Sequence, residues 1–298
     1  MKYLSFNIDN VNAGKILFDF YARTGDERYK IAMDTLRKQM REQPRTSEGG
    51  FWHKLRYPHQ MWLDGIFMAS PYLAQYGATF GEPPLQDEAV KQILLIARKT
   101  YDPATGLYYH GWDESREHKW ANRETGCSPN FWSRSIGWYG AAIVDVLDYL
   151  PQETAGRDSV LQILQGLAQT MVKYQDPQSG TWYQVTDQGA RKGNYLESSA
   201  TALFIYTLAK AINERYIGNE YIAPVQKAFD GMIREFTRLE EDGTYTLTHC
   251  CAVAGLGGNS GKYRDGSFEY YIGEPVIEND PKSVGAFILA AIEYERMN

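Results

Sequence analysis

The stretch DPATGLYY at residues 102–109 is repeated as DPQSGTWY at residues 176–183. A shorter copy, DGTY, occupies residues 242–245, and GGFWH at residues 49–53 shares only the glycine and the aromatic residues. In the first two copies Asp-Pro starts a turn, and glycine supplies the positive φ that ends it. The segments between the copies are roughly one helical hairpin long, and such periodicity is typical of repeated supersecondary units. The repeats therefore predict a ring of helical hairpins.

Aromatic residues follow each of these turns, and the chain contains 22 Tyr and 7 Trp. If the turns lie at the same end of the ring, they gather flat aromatic rings there, which suggests a sugar-binding cleft. The alternative is that these rings fill the core, where aromatic side chains bury a large apolar area. The pattern leaves both interpretations open.

Apolar residues recur at helical spacing through most of the chain and predict an all-α fold in a single domain over residues 1–298. Helices are expected at residues 10–23, 27–42, 59–77, 86–100, 132–150, 157–174, 195–213, 219–238 and 282–296, with a candidate tenth near 246–260. Short extended pieces are expected beside the repeated turns, at residues 107–111, 181–186 and 244–249.

The overall charge limits the choice of partner. The net charge is −6 and there is no basic run, so a nucleic-acid partner is not expected, because phosphate contacts need clustered Lys and Arg. A small anionic substrate needs only a few local cations. No apolar stretch is long enough to span a bilayer, and the first residues lack the apolar region of a signal peptide. Three cysteines do not form a disulfide framework, so a cytoplasmic location is expected.

The sequence lacks the common motifs of metal and cofactor sites. There is no HExxH motif, and Cys250 and Cys251 lack partners at ligand spacing. The glycines at residues 255–261 do not follow a predicted strand, which argues against a dinucleotide site. Neither a metal nor a cofactor is therefore expected.

Asp64 is the first candidate for chemistry. It lies in an apolar stretch that includes Met61, Trp62, Leu63 and Ile66. Such surroundings remove solvent from a carboxylate and favour its protonated form, which suits a general acid. The alternative is an acid in the first turn of a helix, where the helix dipole stabilises negative charge.

Two further segments carry polar candidates. His110 could donate a hydrogen bond or move a proton, or it could be a satisfied histidine in a loop. Arg134 offers a planar fork that suits a carboxylate, or it could pair with a neighbouring acid. Trp132 and Trp138 flank Arg134 and belong either to a pocket or to the core.

The chain resembles the unsaturated rhamnogalacturonyl hydrolases, family 105 of the glycoside hydrolases. The resemblance covers nearly the whole chain. It rests on RTSEGGFWHK (45–54), QMWLDG (60–65), the segment from WAN (120–122) to GWY (137–139), LESS (196–199) and GAFILA (285–290).

The resemblance implies an (α/α)6 barrel and a reaction on the unsaturated galacturonyl units that polysaccharide lyases leave. It implies that Asp64 protonates C4 of the C4=C5 enol ether and then activates water for attack on C5. The resulting hemiketal opens and releases the second sugar. Asp9 corresponds to a second carboxylate of the family site, and a like charge near Asp64 would further favour its protonated form.

The same resemblance assigns substrate-binding roles by position. His53 and His110 match substrate-binding histidines of the family. Further pocket residues are Trp62, Trp132, Arg134, Trp138 and, as a weaker match, Lys54.

One departure from the family concerns the segment before Asp9. Family chains usually carry about one more helical hairpin there, and an (α/α)6 ring without it would expose apolar surface that favours association. Three explanations are open: the chain folds as an open barrel, a partner such as a second copy in a homodimer covers the gap, or the true start codon lies upstream. Two alternatives to the hydrolase are a truncated, non-catalytic sugar-binding homologue and another (α/α)6 carbohydrate enzyme.

Overall fold

The computed structural model describes residues 5–258, 261 and 263–297. It is mostly helical. Its helices are α1 (Asp9–Asn12), α2 (Lys15–Thr24), α3 (Glu27–Glu42), α4 (Leu63–Phe80), α5 (Pro83–Thr100), α6 (Ser133–Leu147), α7 (Arg157–Lys173), α8 (Ser198–Asn213), α9 (Ile222–Phe236), α10 (Phe268–Ile272) and α11 (Pro281–Arg296). Its short strands are β1 (Gln60–Trp62), β2 (Gly111–Asp113), β3 (Thr237–Leu239), β4 (Tyr245–Leu247), β5 (Cys250–Cys251) and β6 (Val276–Ile277).

The helices form two layers. In the inner layer α4 packs against α6, α6 against α8, and α8 against α11. Helices α4, α6 and α8 bury most of their residues, whereas α5, α7 and α9 lie outside them and bury one face. In α7 the buried face carries Val160, Leu164, Leu167 and Met171, which recur at helical spacing. Closure of these layers into the six-pair (α/α)6 barrel stays a prediction.

The repeated turns are alike in detail. Gly106, Gly180 and Gly243 have φ values of 81°, 78° and 83°, which glycine adopts without strain. In the first two copies the aspartate carboxylate accepts from the backbone three residues on, at 3.1 Å for Asp102 and 2.7 Å for Asp176. The turns predicted from the repeats are confirmed.

The aromatic rings of these turns do not all face a cleft. Tyr108 and Trp182 lie in the main hydrophobic core, and the Trp182 indole donates to the Met171 carbonyl at 2.7 Å. The expectation that each turn delivers rings to a sugar site is therefore wrong for these two residues. Core packing is the interpretation that holds for them.

Several predicted boundaries also change. The helix expected at 10–23 is divided around Gly14, whose backbone lies so close to α3 that an added Cβ would come within 2.3 Å of Leu36 Cδ1. The helix expected from residue 59 starts at Leu63, because residues 60–62 pair with β2. The candidate helix near 246–260 is wrong, because its first part forms β4 and β5; residues 259–260 lie outside the described residues.

Three antiparallel strand pairs fasten the loops to the helices: β1 with β2, β3 with β4, and β5 with β6. The pair that matters for the site is the first, in which Gln60 lies opposite Asp113 and Trp62 opposite Gly111. This pair joins β1, which directly precedes α4, to β2, which lies about 50 residues further along the chain.

The helices at the two ends of the helical series, α2 and α11, carry exposed apolar side chains. They are Ile16 and Phe20 on α2, and Ile288, Leu289 and Ile292 on α11. The homodimer stays a prediction. Of the helices in the described residues, none has both the length and the apolar character needed to cross a membrane.

Candidate active site

A cleft of about 630 Å³ opens where the first turns of α1, α4 and α6 meet. β1 continues directly into α4, so that Trp62 precedes the helix and Asp64 lies in its first turn. The Leu63 amide donates to the His110 carbonyl at 3.0 Å, which fixes the start of α4 against the segment leading into β2. Backbone pairing thus brings together residues that are distant in the sequence.

Eight of the nine residues proposed from the sequence line this cleft: Asp9, His53, Lys54, Trp62, Asp64, Trp132, Arg134 and Trp138. The ninth, His110, is fully buried and lies directly against Asp64.

The Asp64 carboxylate lies 3.1 Å from His110, measured from Oδ2 to Nε2. These two atoms are buried and make no well-aligned hydrogen bond within the described part of the chain, although they are this close. The other ring nitrogen of His110, Nδ1, is 2.7 Å from the hydroxyl of Tyr271. Burial raises the pKa of Tyr271 well above its ordinary value, so its hydroxyl keeps its proton, and it can donate to Nδ1 or accept from it. We assign the ring proton of a neutral His110 to Nε2, because the Asp64 oxygen that faces this nitrogen is an acceptor; Nδ1 then accepts from Tyr271.

Asp9 has different surroundings. Its carboxylate oxygens lie 3.3 Å from His53 Nε2 and 2.5 Å from Lys54 Nζ. Burial alone would raise the pKa of Asp9, but the charges of His53 and Lys54 and their hydrogen bonds outweigh it and hold the pKa well below its usual range. Asp9 is therefore an ionised carboxylate whose charge is largely balanced by its neighbours.

Arg134 is almost fully buried in the wall of the cleft. Its Nε donates to Ser199 Oγ at 2.6 Å, and its Nη2 donates to the buried Glu197 at 3.1 Å and to the Cys251 carbonyl. Burial would lower its pKa, but Glu197 outweighs this effect, and the pKa is raised above the ordinary value. The interpretation that Arg134 pairs with an acid is therefore correct, and the same residue also lines the cleft.

Three tryptophans complete the walls, each largely buried. Trp62 stacks on His53 with ring centroids 4.4 Å apart, and Trp138 lies 4.5 Å from Phe67. Trp132 donates from Nε1 to Gln184 at 3.1 Å. The sequence left open whether these tryptophans belong to a pocket or to the core. Both interpretations hold, because each ring lines the cleft and is otherwise buried against neighbouring side chains.

Sequence reasoning missed several residues of the site. Tyr271 holds His110, while Lys15, Phe67, Arg264 and Lys282 line the cleft. Phe67 could have been found, since it lies three residues after Asp64 on the same helical face. The described residues contain no group of three or more His, Cys, Asp or Glu side chains arranged to hold a metal ion.

Aromatic walls and a few convergent polar groups are typical of small-molecule sites, and the combination of carboxylates with aromatic rings suits an enzyme that acts on carbohydrate. A family model gives the particular class. The chain belongs to Glycosyl Hydrolase Family 88, whose model matches residues 1–298.

Comparisons with individual proteins agree with this family. A solved glycoside hydrolase from family 105 of C. acetobutylicum ATCC 824 superposes with a TM-score of 0.96 and is 43% identical, covering 99% of this chain and 81% of that chain. Protein Atu3128 of Agrobacterium fabrum is 38% identical over 76% of this chain and 97% of its own length. The unsaturated rhamnogalacturonyl hydrolase YesR of Bacillus subtilis is 26% identical, over 80% of this chain and 65% of its own length. The resemblance inferred from the sequence motifs is confirmed.

Proposed function

We propose that this chain hydrolyses unsaturated galacturonyl–rhamnose-type disaccharides by adding water to their C4=C5 double bond. The observation that carries the proposal is the contact between Asp64 and His110 beside a tryptophan-walled cleft. The activity in the name of the Bacillus subtilis relative supports the substrate class.

In the proposed reaction Asp64 is the proton donor. Its carboxylic acid protonates C4, and the positive charge that develops at C5 is shared with the ring oxygen. Water then adds to C5 and gives its proton to the Asp64 carboxylate, which restores the acid. The product is a hemiketal that opens to a ketone at C5, and the hemiacetal left at C1 releases the second sugar. Asp64 thus acts first as acid and then as base.

The remaining residues have positioning roles in this scheme. His110 faces Asp64 with its Nε2 proton and orients the carboxylate. Asp9 fixes His53 and Lys54, and Lys54 places a positive charge in a cleft that would receive an anionic sugar. The tryptophans are placed to pack against the sugar rings.

The test follows the ultraviolet absorbance of the enol ether with an unsaturated rhamnogalacturonan disaccharide. We expect wild-type protein to remove the absorbance and Asp64→Asn to leave it. The matched control is Asp158→Asn, because Asp158 also lies in a helical first turn but outside the cleft. If Asp64 served only the helix dipole, the two variants would behave alike.

Two outcomes would overturn the proposal. Turnover by folded Asp64→Asn at the wild-type rate would remove Asp64 from the chemistry. Binding of the disaccharide by wild-type protein without any loss of absorbance would favour a non-catalytic sugar-binding protein.

A further inference from the structure

The indole nitrogen of Trp62 is the end of a chain of hydrogen bonds that begins at a buried aspartate outside the cleft. Asp113, in β2, lies 2.9 Å from His118 Nδ1, measured from its Oδ2. His118 Nε2 lies 3.0 Å from Gln60 Nε2. Gln60 Oε1 in turn accepts from Trp62 Nε1 at 3.0 Å. The three contacts form one continuous line into the cleft wall.

The donors and acceptors along this line admit one consistent arrangement. An ionised Asp113 only accepts, so His118 carries a proton on Nδ1, and in the neutral ring Nε2 is an acceptor. The Gln60 amide must then direct its NH2 group towards His118 and its oxygen towards Trp62. The indole Nε1–H is a donor only, and this orientation satisfies it. Burial would raise the pKa of Asp113, but bonds from Ser115 and His118 outweigh it and keep that carboxyl ionised.

Trp62 connects this line to both aspartates of the cleft. Its ring stacks on His53 at 4.4 Å, and His53 contacts Asp9. Its edge meets His110 at 5.5 Å, and His110 contacts Asp64. A rotation of the indole would therefore disturb the packing of both histidines.

We propose that Asp113, His118 and Gln60 are positioning residues that fix the plane of the Trp62 indole and, through it, the two histidines of the cleft. Their effect on catalysis rests on the proposed function, whereas their effect on Trp62 does not. None of the three lines the cleft, so the line of side-chain contacts reaches the cleft through Trp62.

Two substitutions of Gln60 separate this role from simple packing. Gln60→Glu presents carboxylate oxygens to both neighbours, accepting from Trp62 and from a His118 that takes up a second proton. Gln60→Met fills a similar volume but breaks both contacts. A residue that only packs would tolerate methionine better than a buried carboxylate, whereas a positioning residue requires the opposite order.

The readout is the indole Nε1–H resonance of Trp62 in protein labelled with 15N-tryptophan, assigned by its loss in Trp62→Phe. We expect Gln60→Glu to keep the position of a hydrogen-bonded indole, while Gln60→Met and His118→Ala shift it. Turnover of the disaccharide gives the second readout. We expect kcat/KM to fall about tenfold in Gln60→Met and His118→Ala, and by less than about threefold in Gln60→Glu, as for loss of one buried hydrogen bond.

The control is His59→Asn, which alters the histidine next to Gln60 in the chain. His59 contacts Trp52 and Glu114, and its φ of 63° is one that asparagine tolerates. It should leave the Trp62 resonance in place. An unshifted resonance and unchanged kcat/KM in folded Gln60→Met would overturn the proposal, and His118→Ala decides the matter if that variant does not fold. The Trp62 resonance is recorded without substrate. It therefore tests the positioning of Trp62 even if the protein does not catalyse the proposed reaction.

Discussion

The two aspartates of the cleft have opposite surroundings. Asp9 touches Lys54 and His53, two groups that carry or can carry positive charge. Among the described residues the Asp64 carboxylate lies within salt-bridge distance of His110 alone, and the other nitrogen of that ring is hydrogen-bonded to Tyr271. One carboxylate is thus balanced by cations and held ionised, and the other faces a single imidazole among aromatic rings. The difference supports our proposal that Asp64 transfers the proton and that Asp9 orders the cleft.

The largest expected effect is the difference between the two amide variants. Asp64→Asn removes the proton donor and should lower kcat by about 10³-fold, within the range known for general acid–base groups. Asp9→Asn removes a fixed charge and should lower kcat/KM by only about tenfold, because its partners remain. Steady-state assays of both proteins would measure this. Equal losses of kcat/KM in the two variants would contradict the different roles proposed for the two aspartates.

The titration of Asp9 offers a second test, on stability. Its lowered pKa means that the unfolded chain, in which an aspartate titrates near about 3.9, binds this proton more readily than the native protein. The stabilisation is therefore complete above about pH 4 and is lost as the pH falls towards the lowered native value. Urea unfolding of wild type and Asp9→Asn should give a larger difference in unfolding free energy at about pH 5 than at about pH 3. A difference independent of pH over this range would show that Asp9 is not held ionised.

A smaller effect is expected from removing the Tyr271 hydroxyl, which contacts His110. Tyr271→Phe leaves Nδ1 of His110 without its donor and should lower kcat severalfold, up to about tenfold, with little change in KM. The neighbouring Tyr270→Phe is the matched control, since its hydroxyl accepts from the Gly255 amide and not from His110. A similar loss of kcat in both variants would mean that the orientation of His110 is not what matters.

The smallest effect tests the position of His53. An added Cβ at Gly65 would lie 2.9 Å from His53 Nδ1, closer than packed atoms normally approach, so the ring must shift. We expect Gly65→Ala to lower kcat/KM about threefold, the size of a displacement of a few tenths of an ångström. Gly166→Ala in α7 meets no atom within 4 Å and should stabilise the helix without affecting activity. Unchanged activity in Gly65→Ala would show that the His53 ring can move freely.

The helical fold and most of the site could be predicted because their signals are local. Helical spacing identified the long helices, and short contiguous motifs such as QMWLDG and LESS carried the resemblance that named the site residues. Tyr271 could not be found in this way, since it meets His110 across 161 positions of the chain. The strand pair that places Gln60 opposite Asp113 is likewise a long-range contact of three residues, too short to leave a pattern of alternation.

Two errors have related causes. Tyr108 and Trp182 follow turns whose chemistry was recognised, but the direction of a side chain after a turn depends on which helices pack around it. Within the segment near 246–260, β4 agrees with the extended piece expected at residues 244–249. β5 pairs with residues 276–277, and this more distant partner could not be found from a local pattern.

The central claim is that Asp64 delivers a proton to C4 of the unsaturated sugar. The most direct measurement is a reaction in D2O, stopped early and analysed by NMR and mass spectrometry. The account predicts that enol-ether absorbance disappears in step with release of the second sugar, and that one deuterium enters at a single face of C4. Release of the sugar with the double bond intact and no deuterium at C4 would contradict it.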